Sequence, residues 1–510
     1  MKFFTIGGAV VGALIATGVA VAQPADTLRI GSPVVCPQRG LPAGGSASPC
    51  VYTHWPSYDT LVQINEKGEV VPLIATEWKV QEDKTKWQVK IRSGVQFHNG
   101  DPLTAEMVRL WFEYLGTQEA VSKYVTAQNF QRQGQIVDTK VIAPDTIELT
   151  TRVVNSLLPR LLSVYWLPNS KAFKENPDSF NNQGNGTGPY RLVAFDPNEV
   201  RYEAAPNAWR KAPVPKMRLI NVPEVGTRVA GILSGELDVG IGLSIDRIDE
   251  VKRAGHQVHV IDRPDINSLR FNWYDRDTPF KDKRVRQAAK YALDRGSIQR
   301  DLMKNISAFT GQCATETNFG YNPDVKPYAF DQAKARQLLT EAGFPNGIGP
   351  FKIDVIPGNF PADSEIYQKV AQDLNAVGMK AELQIITFAD WLRKWTPPPT
   401  EKSMLFPDMF QNGCMNFTAH PMDAMINLSC RKPQKSHCVE EEMRLIEAIE
   451  AEFDPDKQRP IVRELLRVNA DNSAFLDLPV ISDITALNKR VRGFANAMQR
   501  YSFTAITFAN

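Results

Sequence analysis

The stretch Ile91-Arg-Ser-Gly-Val-Gln-Phe-His-Asn-Gly-Asp-Pro-Leu-Thr-Ala-Glu106 decides how this chain folds. It joins two kinds of secondary structure. Behind it, Trp87-Gln-Val-Lys-Ile91 alternates apolar and polar side chains, the period of a half-buried strand. At its end, Thr104 is a good N-cap and Glu106 sets a negative charge in the first turn, so a helix opens there. Further upstream, residues 58–98 read as a series of short strands with hairpin turns at Glu66-Lys-Gly68 and Glu82-Asp-Lys84. Residues 27–35 read as a strand running into a loop, and the Gly-, Pro-, Ser- and Ala-rich residues 36–50 as loop.

Downstream, residues 181–189 form a long turn-forming stretch, a candidate boundary. Its Gly-x-Gly pattern is not a phosphate loop, because no Lys-Ser or Lys-Thr follows and residues 190–195 read as a strand. Residues 227–242 read as helix, turn and strand. Residues 282–295 read as a helix capped by Asp282, with Val285, Ala288, Ala289, Ala292 and Leu293 on one apolar stripe. A helix from Asp331 stops at Gly343. A strand over 351–356, a helix over 362–377 ending at Gly378 and a strand over 380–386 follow. This alternation is the mark of an α/β lobe.

The 510 residues carry 59 basic and 57 acidic side chains. Such a length suggests about two to four domain-sized units. The near balance of charge leaves no basic stripe for nucleic acid or an acidic membrane. Lys2, the apolar run over 6–21 and the small-x-small site Ala20-Val21-Ala22 read as a secretory signal cleaved after Ala22. No later segment is apolar enough to cross a bilayer, so the expected product is exported to the periplasm without a membrane span. Six cysteines in an oxidising compartment suggest disulfides. Many pairings are open. Cys36 with Cys50 and Cys430 with Cys438 close the shortest loops, which leaves Cys313 with Cys414. No CxxC and no ligand-spaced histidines suggest a metal, and neither metal nor cofactor is expected.

The ordered motifs carry a resemblance. They include Tyr58-Asp-Thr-Leu61, Leu73–Trp78, Ile91–Glu106, Gly186-Thr-Gly-Pro-Tyr190, Asn207-Ala-Trp209, Ser234-Gly-Glu-Leu-Asp238, Phe271-Asn272, Val285–Arg295 and Gly320-Tyr-Asn-Pro323. Together they resemble the extracellular solute-binding proteins of family 5, the oligopeptide, dipeptide and nickel-binding class. The resemblance implies an α/β, two-lobed periplasmic binding protein type II fold with an additional domain inserted in the first lobe. It implies a signal peptide over 1–22 and a first lobe from 23–57, 185–275 and 485–510. The inserted domain then covers 58–184 and the second lobe 276–484, with crossings near 272–279 and 477–486. The motifs themselves are expected to be scaffold. The match around Ser429-Cys430 and Cys438 resembles a family disulfide.

The implied function is that of a solute-binding component of an ABC importer. It would capture a peptide-like or other small organic solute between the lobes and deliver it to a membrane permease, as a monomer and not an enzyme. The alternatives are a nickel-type metal chelate as ligand, or a periplasmic sensor or chaperone not coupled to transport. No GxSxG and no HExxH supports a secreted hydrolase. The resemblance places the ligand among the loop after the first strand, the strand holding Phe271-Asn272, and residues 410–423. Peptide-binding members carry an Asp where this chain has Asn416 or Phe417. They also carry an Arg in the loop that here holds Asn359. Both anchors of a zwitterionic dipeptide are therefore absent. The candidate ligand-binding residues are Trp55, Arg270, Asn272, Asn359, Trp391, Met415, Asn416, His420 and Asp423, with Trp166 and Trp395 as further possible walls.

Overall fold

A computed structural model describes residues 26–37, 39–45, 50–358, 360–395, 397, 400–401, 403–432, 434–497, 500–501 and 505–509. The expected signal segment and Asn359 lie outside the described residues.

One mixed sheet of ten strands runs through the molecule. Its order is Met379–Ile385, Ile348–Val355, Met409–Gln411, Gln257–Phe271, Phe475–Leu487, Val239–Ile241, Thr27–Ser32, Lys216–Asn221, Glu199–Ala204 and Tyr190–Asp196. Each end has its own parallel core. Thr27–Ser32 lies parallel to Lys216–Asn221 and Val239–Ile241. Ile348–Val355 lies parallel to Met379–Ile385 and Met409–Gln411. The antiparallel pair Gln257–Phe271 and Phe475–Leu487 joins the two.

The register of that pair breaks between Asp262 and Ile266 and again before Ser268. On one side of the break, Ile484 and Ala486 pack with Val229, Ile232 and Leu237. On the other, Leu269, Phe271, Leu476 and Leu478 pack with Phe280, Val285 and Ile353. The paired strands thus reach into both packing clusters. Asn272 is already deep in the second lobe, where its amide donates to the carbonyls of Phe406 (2.8 Å) and Met404 (3.4 Å). Two long strands can span both lobes as one ladder, so the outward crossing needs no separate linker.

A second, four-stranded antiparallel sheet lies in the first half: Ala75–Val80, Lys86–Ile91, Thr146–Thr151 and Ile136–Ala143. The helix Ala105–Leu115 covers it, burying Met107, Val108, Trp111, Phe112 and Leu115. Thr104 caps that helix by accepting from the Met107 amide. The intervening 92–103 stretch ties this sheet to the rest of the lobe. The His98 amide donates to the Gly186 carbonyl (2.9 Å), and Asn207 donates to the Phe97 carbonyl (2.7 Å).

The ordered motifs meet each other rather than a ligand. Asp59 accepts from Thr187 (2.8 Å) and from the Trp209 indole (2.9 Å), and pairs with Arg210. Asp238 is clasped by Arg29 and Arg490. Arg295 forms a bidentate pair with buried Asp477, at 2.9 Å to each oxygen. Buried carboxylates of this kind are held only when paired and fully hydrogen-bonded. The described cysteines pair as Cys36–Cys50, Cys313–Cys414 and Cys430–Cys438. Among the described residues, no helix is long and apolar enough to cross a membrane.

Candidate binding pocket between the lobes

The two lobes touch beside the strand Met409–Gln411. Arg160 donates to the Thr418 carbonyl (2.8 Å), and Gln133 donates to the Asp423 carbonyl (3.4 Å). Next to these contacts lies a cavity of about 280 Å³ with walls from both sides. That is near the lower end of ligand pockets, which run to about 300–1,000 Å³.

The wall on the second lobe is the helix Phe388–Trp395. Phe388, Trp391, Leu392 and Trp395 fall at i, i+3, i+4 and i+7 and so share one face. Yet no residue of this helix is buried, and Phe388 is 63% exposed. The three rings form a ladder. Phe388 and Trp391 lie 6.0 Å apart and Trp391 and Trp395 5.1 Å apart, each pair within 12° of parallel. Trp391 is fixed by its indole N–H, which donates to the Gln411 carbonyl at 2.9 Å. Apolar rings left uncovered at a cleft lose more water contact when something lies against them, and that drives binding.

The floor is Asn412, Gly413 and Met415. Cys414 holds it to the crossing strand, exchanging backbone hydrogen bonds with Ile266 at 2.8 and 3.1 Å. Gly413 must be glycine for this approach, because a Cβ there would sit 2.6 Å from the Ile266 carbonyl oxygen. The opposite wall comes from the first lobe: Val125, Gln128, Asn129 and Arg132. Phe417, Asp423 and Asn427 close the end.

Of the residues singled out from sequence, Trp391, Met415 and Asp423 line this pocket, and Trp395 lines it too. The others sit elsewhere. Trp55 packs edge-on against Trp166 at 5.8 Å, and the Trp166 indole donates to the Gly45 carbonyl, so both are interior. Arg270 is fully buried against the Cys313–Cys414 disulfide, with Nη2 2.9 Å from Cys414 Sγ and the guanidinium 4.7 Å over the Phe475 ring. Burial pulls its pKa down to about 9. Asn416 is buried too. Its backbone N–H donates to Asp265 (2.7 Å), and its amide donates to the carbonyls of Pro264 (3.0 Å) and Cys313 (3.1 Å). His420 stacks on Phe319 at 5.1 Å and accepts from the Met422 amide through Nδ1. Burial, with Arg160 beside it, holds its pKa well below the usual histidine range. Among the described residues no group of three potential metal ligands exists.

Asp423 is buried at the pocket's end. Both its oxygens are engaged, accepting from Thr418 N (2.6 Å) and Thr418 Oγ1 (3.0 Å). Burial dominates and pushes its pKa up to about 7, against those hydrogen bonds and Arg160.

Sequence reading missed Phe388, Leu392, Gln128, Asn129 and Arg132. The first two had a signal, the helical spacing of Phe388, Trp391, Leu392 and Trp395. The first-lobe residues had none, since only the tertiary fold brings them opposite that helix. A larger recess of about 730 Å³ lies between Glu66–Val70 and Pro455–Arg459. Its lining mixes Glu66, Lys67, Glu69 and Glu316 with Trp78, Trp87, Phe319 and Phe453.

The relatives agree with this architecture. Heme-binding protein A of Haemophilus influenzae is 23% identical over 366 residues, 66% of either chain. The dipeptide-binding protein of Escherichia coli is 23% identical over 523 residues, 94% of either chain. The structure of the periplasmic binding protein DppA from Helicobacter pylori, in complex with the peptide STSA, superposes with a TM-score of 0.81 at 17% identity. That match covers 94% of this chain and 98% of the other. It establishes the two-lobed fold. The sequence model of the bacterial extracellular solute-binding proteins, family 5, matches residues 69–432, well over half the chain. This chain therefore belongs to the bacterial extracellular solute-binding proteins of family 5.

Proposed function

We propose that this protein captures a small organic solute in the pocket between its lobes and delivers it to the permease of an ABC importer. The observation that carries the reading is the Phe388–Trp395 helix, whose aromatic face is uncovered and looks across a cleft at groups from the other lobe. A ligand there touches both lobes at once, so its binding free energy favours the closed arrangement. Family membership and the dipeptide-binding relative support a transport role. The amino-terminal pattern of Lys2, an apolar run and Ala20-Val21-Ala22 supports export with cleavage after Ala22.

The protein acts as a binder and not an enzyme. Membership of a solute-binding family supports that reading. In this reading residues 58–184 form a smaller domain within the first lobe, supported by their separate four-stranded sheet. Deleting the gene and measuring uptake of a ligand that co-purifies with the protein tests the role. Loss of uptake is expected, and unchanged uptake overturns the transport assignment.

A further inference from the structure

The pocket's charges are lopsided. Arg132, on the first-lobe wall, donates through Nη2 to Asn129 Oδ1 at 3.1 Å. Its Nε is buried and has no hydrogen-bond partner, and it forms no ion pair among the described residues. Behind the facing wall, Lys432 lies with Nζ 3.1 Å from the Trp395 ring centroid and donates to the Trp395 carbonyl at 2.7 Å. Lys432 is 4% exposed. Burial first, and then Arg132, pulls its pKa down to about 6. Arg132 is therefore a cation facing a cavity whose one carboxyl, Asp423, already accepts two hydrogen bonds from Thr418, while Lys432 sits behind the aromatic wall and is not among the lining residues. A desolvated guanidinium with an open donor is strongly satisfied by a carboxylate and poorly by anything neutral. An ammonium entering the same space meets like charge and no free acceptor carboxylate.

We infer that the pocket selects organic acids without a free amine: a carboxylate pairs with Arg132, and an apolar body lies against the Phe388–Trp391–Trp395 wall. The inference rests on the proposed solute-binding reading of this pocket and names its ligand class.

The test uses the purified mature chain and three probes that share one aromatic body. They are N-acetylphenylalanine (an anion), N-acetylphenylalaninamide (neutral) and phenylalaninamide (a cation). Tryptophan fluorescence follows each titration, and circular dichroism checks the fold of every variant. The anion is expected to bind about ten- to a hundred-fold tighter than the neutral amide, the range of a charge-assisted hydrogen bond. Arg132→Gln should erase that preference by bringing the anion's affinity down to that of the neutral amide, while Arg132→Lys should keep part of it. Equal affinity for anion and neutral amide, tighter binding of the cation, no binding of any probe, or a preference that survives Arg132→Gln overturns the inference. Trp391→Ala separates the two layers. If it abolishes binding of probes that show no anion preference, the pocket stands and only the ligand class falls. If an anion preference survives Trp391→Ala at full affinity, the ligand binds elsewhere and both fall.

Discussion

Two groups of residues flank the strand Met409–Gln411, and they differ in what their polar atoms do. Arg270, Asn272 and Asn416 are buried, and carbonyls, a carboxylate and the disulfide sulfurs take up donors from them, with Arg270 Nη1 left unpartnered. Trp391, Trp395 and Phe388 line the pocket, the two tryptophans partly covered and Phe388 exposed. The first group builds the cleft and the second is free to meet a ligand. Polar character close to a cleft is thus no guide to contact. A buried donor must find a partner within the protein, and once it has done so it is unavailable.

The sharpest way to break this division is at the Cys313–Cys414 bridge, which closes a loop with a sequence separation of 101. Replacing both cysteines by serine should cost about 4.7 kcal/mol of stability, as the loop-entropy estimate gives, measured by denaturant unfolding. It also takes from Arg270 its sulfur partners. Ligand affinity of the remaining folded protein should barely change, because neither cysteine faces the pocket. A large affinity loss at intact fold would move the disulfide region into the binding surface.

Asn416→Asp is the next test. It restores the residue type that peptide-binding members use, but here it sets a carboxylate against the carbonyls of Pro264 and Cys313. The expected result is a loss of about 3 kcal/mol, typical of an uncompensated buried charge, with no gain in dipeptide binding. A dipeptide affinity created by this change would place position 416 in the cleft. Trp391→Ala should behave in the opposite sense. It should cost about 2 kcal/mol of binding, as an aromatic anchor does, with a smaller effect on stability because the ring is only half-buried.

A further test is a pH dependence at the pocket's end. Asp423 has a folded pKa raised to about 7 from 3.8. Between these values the folded state holds a proton that the unfolded state has released. Its contribution is therefore complete below about 4 and lost as pH rises through about 7, at about 1.4 kcal/mol per pH unit within the window. Lys432 and His420, with lowered pKa values, act in the reverse direction. The clean observable is hence the difference between wild type and Asp423→Asn in chemical denaturation across pH 4–8. That difference should shrink steadily as pH rises, and a flat difference would remove Asp423 as the titrating group.

Much of the fold was legible in the sequence, because local rules wrote it. Thr104, Asp282 and Asp331 cap the helices expected of them. The alternation of Trp87–Ile91 appears as alternating burial. Residues 257–271 and 475–487 are continuous strands, and nothing local marks where a continuous strand passes from one lobe to the next. The pocket was half legible. Met415 and Asp423 lie in the 410–423 segment that the resemblance indicates, and Trp391 was read as a candidate cleft wall. Arg132 lies far away in sequence, and only the packing of one lobe on the other brings it there. Arg270 and Asn416 were read as binding groups because their chemistry suits a ligand, yet the interior takes up their donors.

The account's central claim is that a small solute sits between the lobes against the Trp391 wall. Native mass spectrometry of the gently purified mature chain tests it most directly, comparing wild type with Trp391→Ala and Phe388→Ala. The account predicts one small organic molecule per wild-type chain, released unchanged on denaturation and lost from both variants at intact fold. Retention of the same molecule by the variants as firmly as by wild type would contradict it.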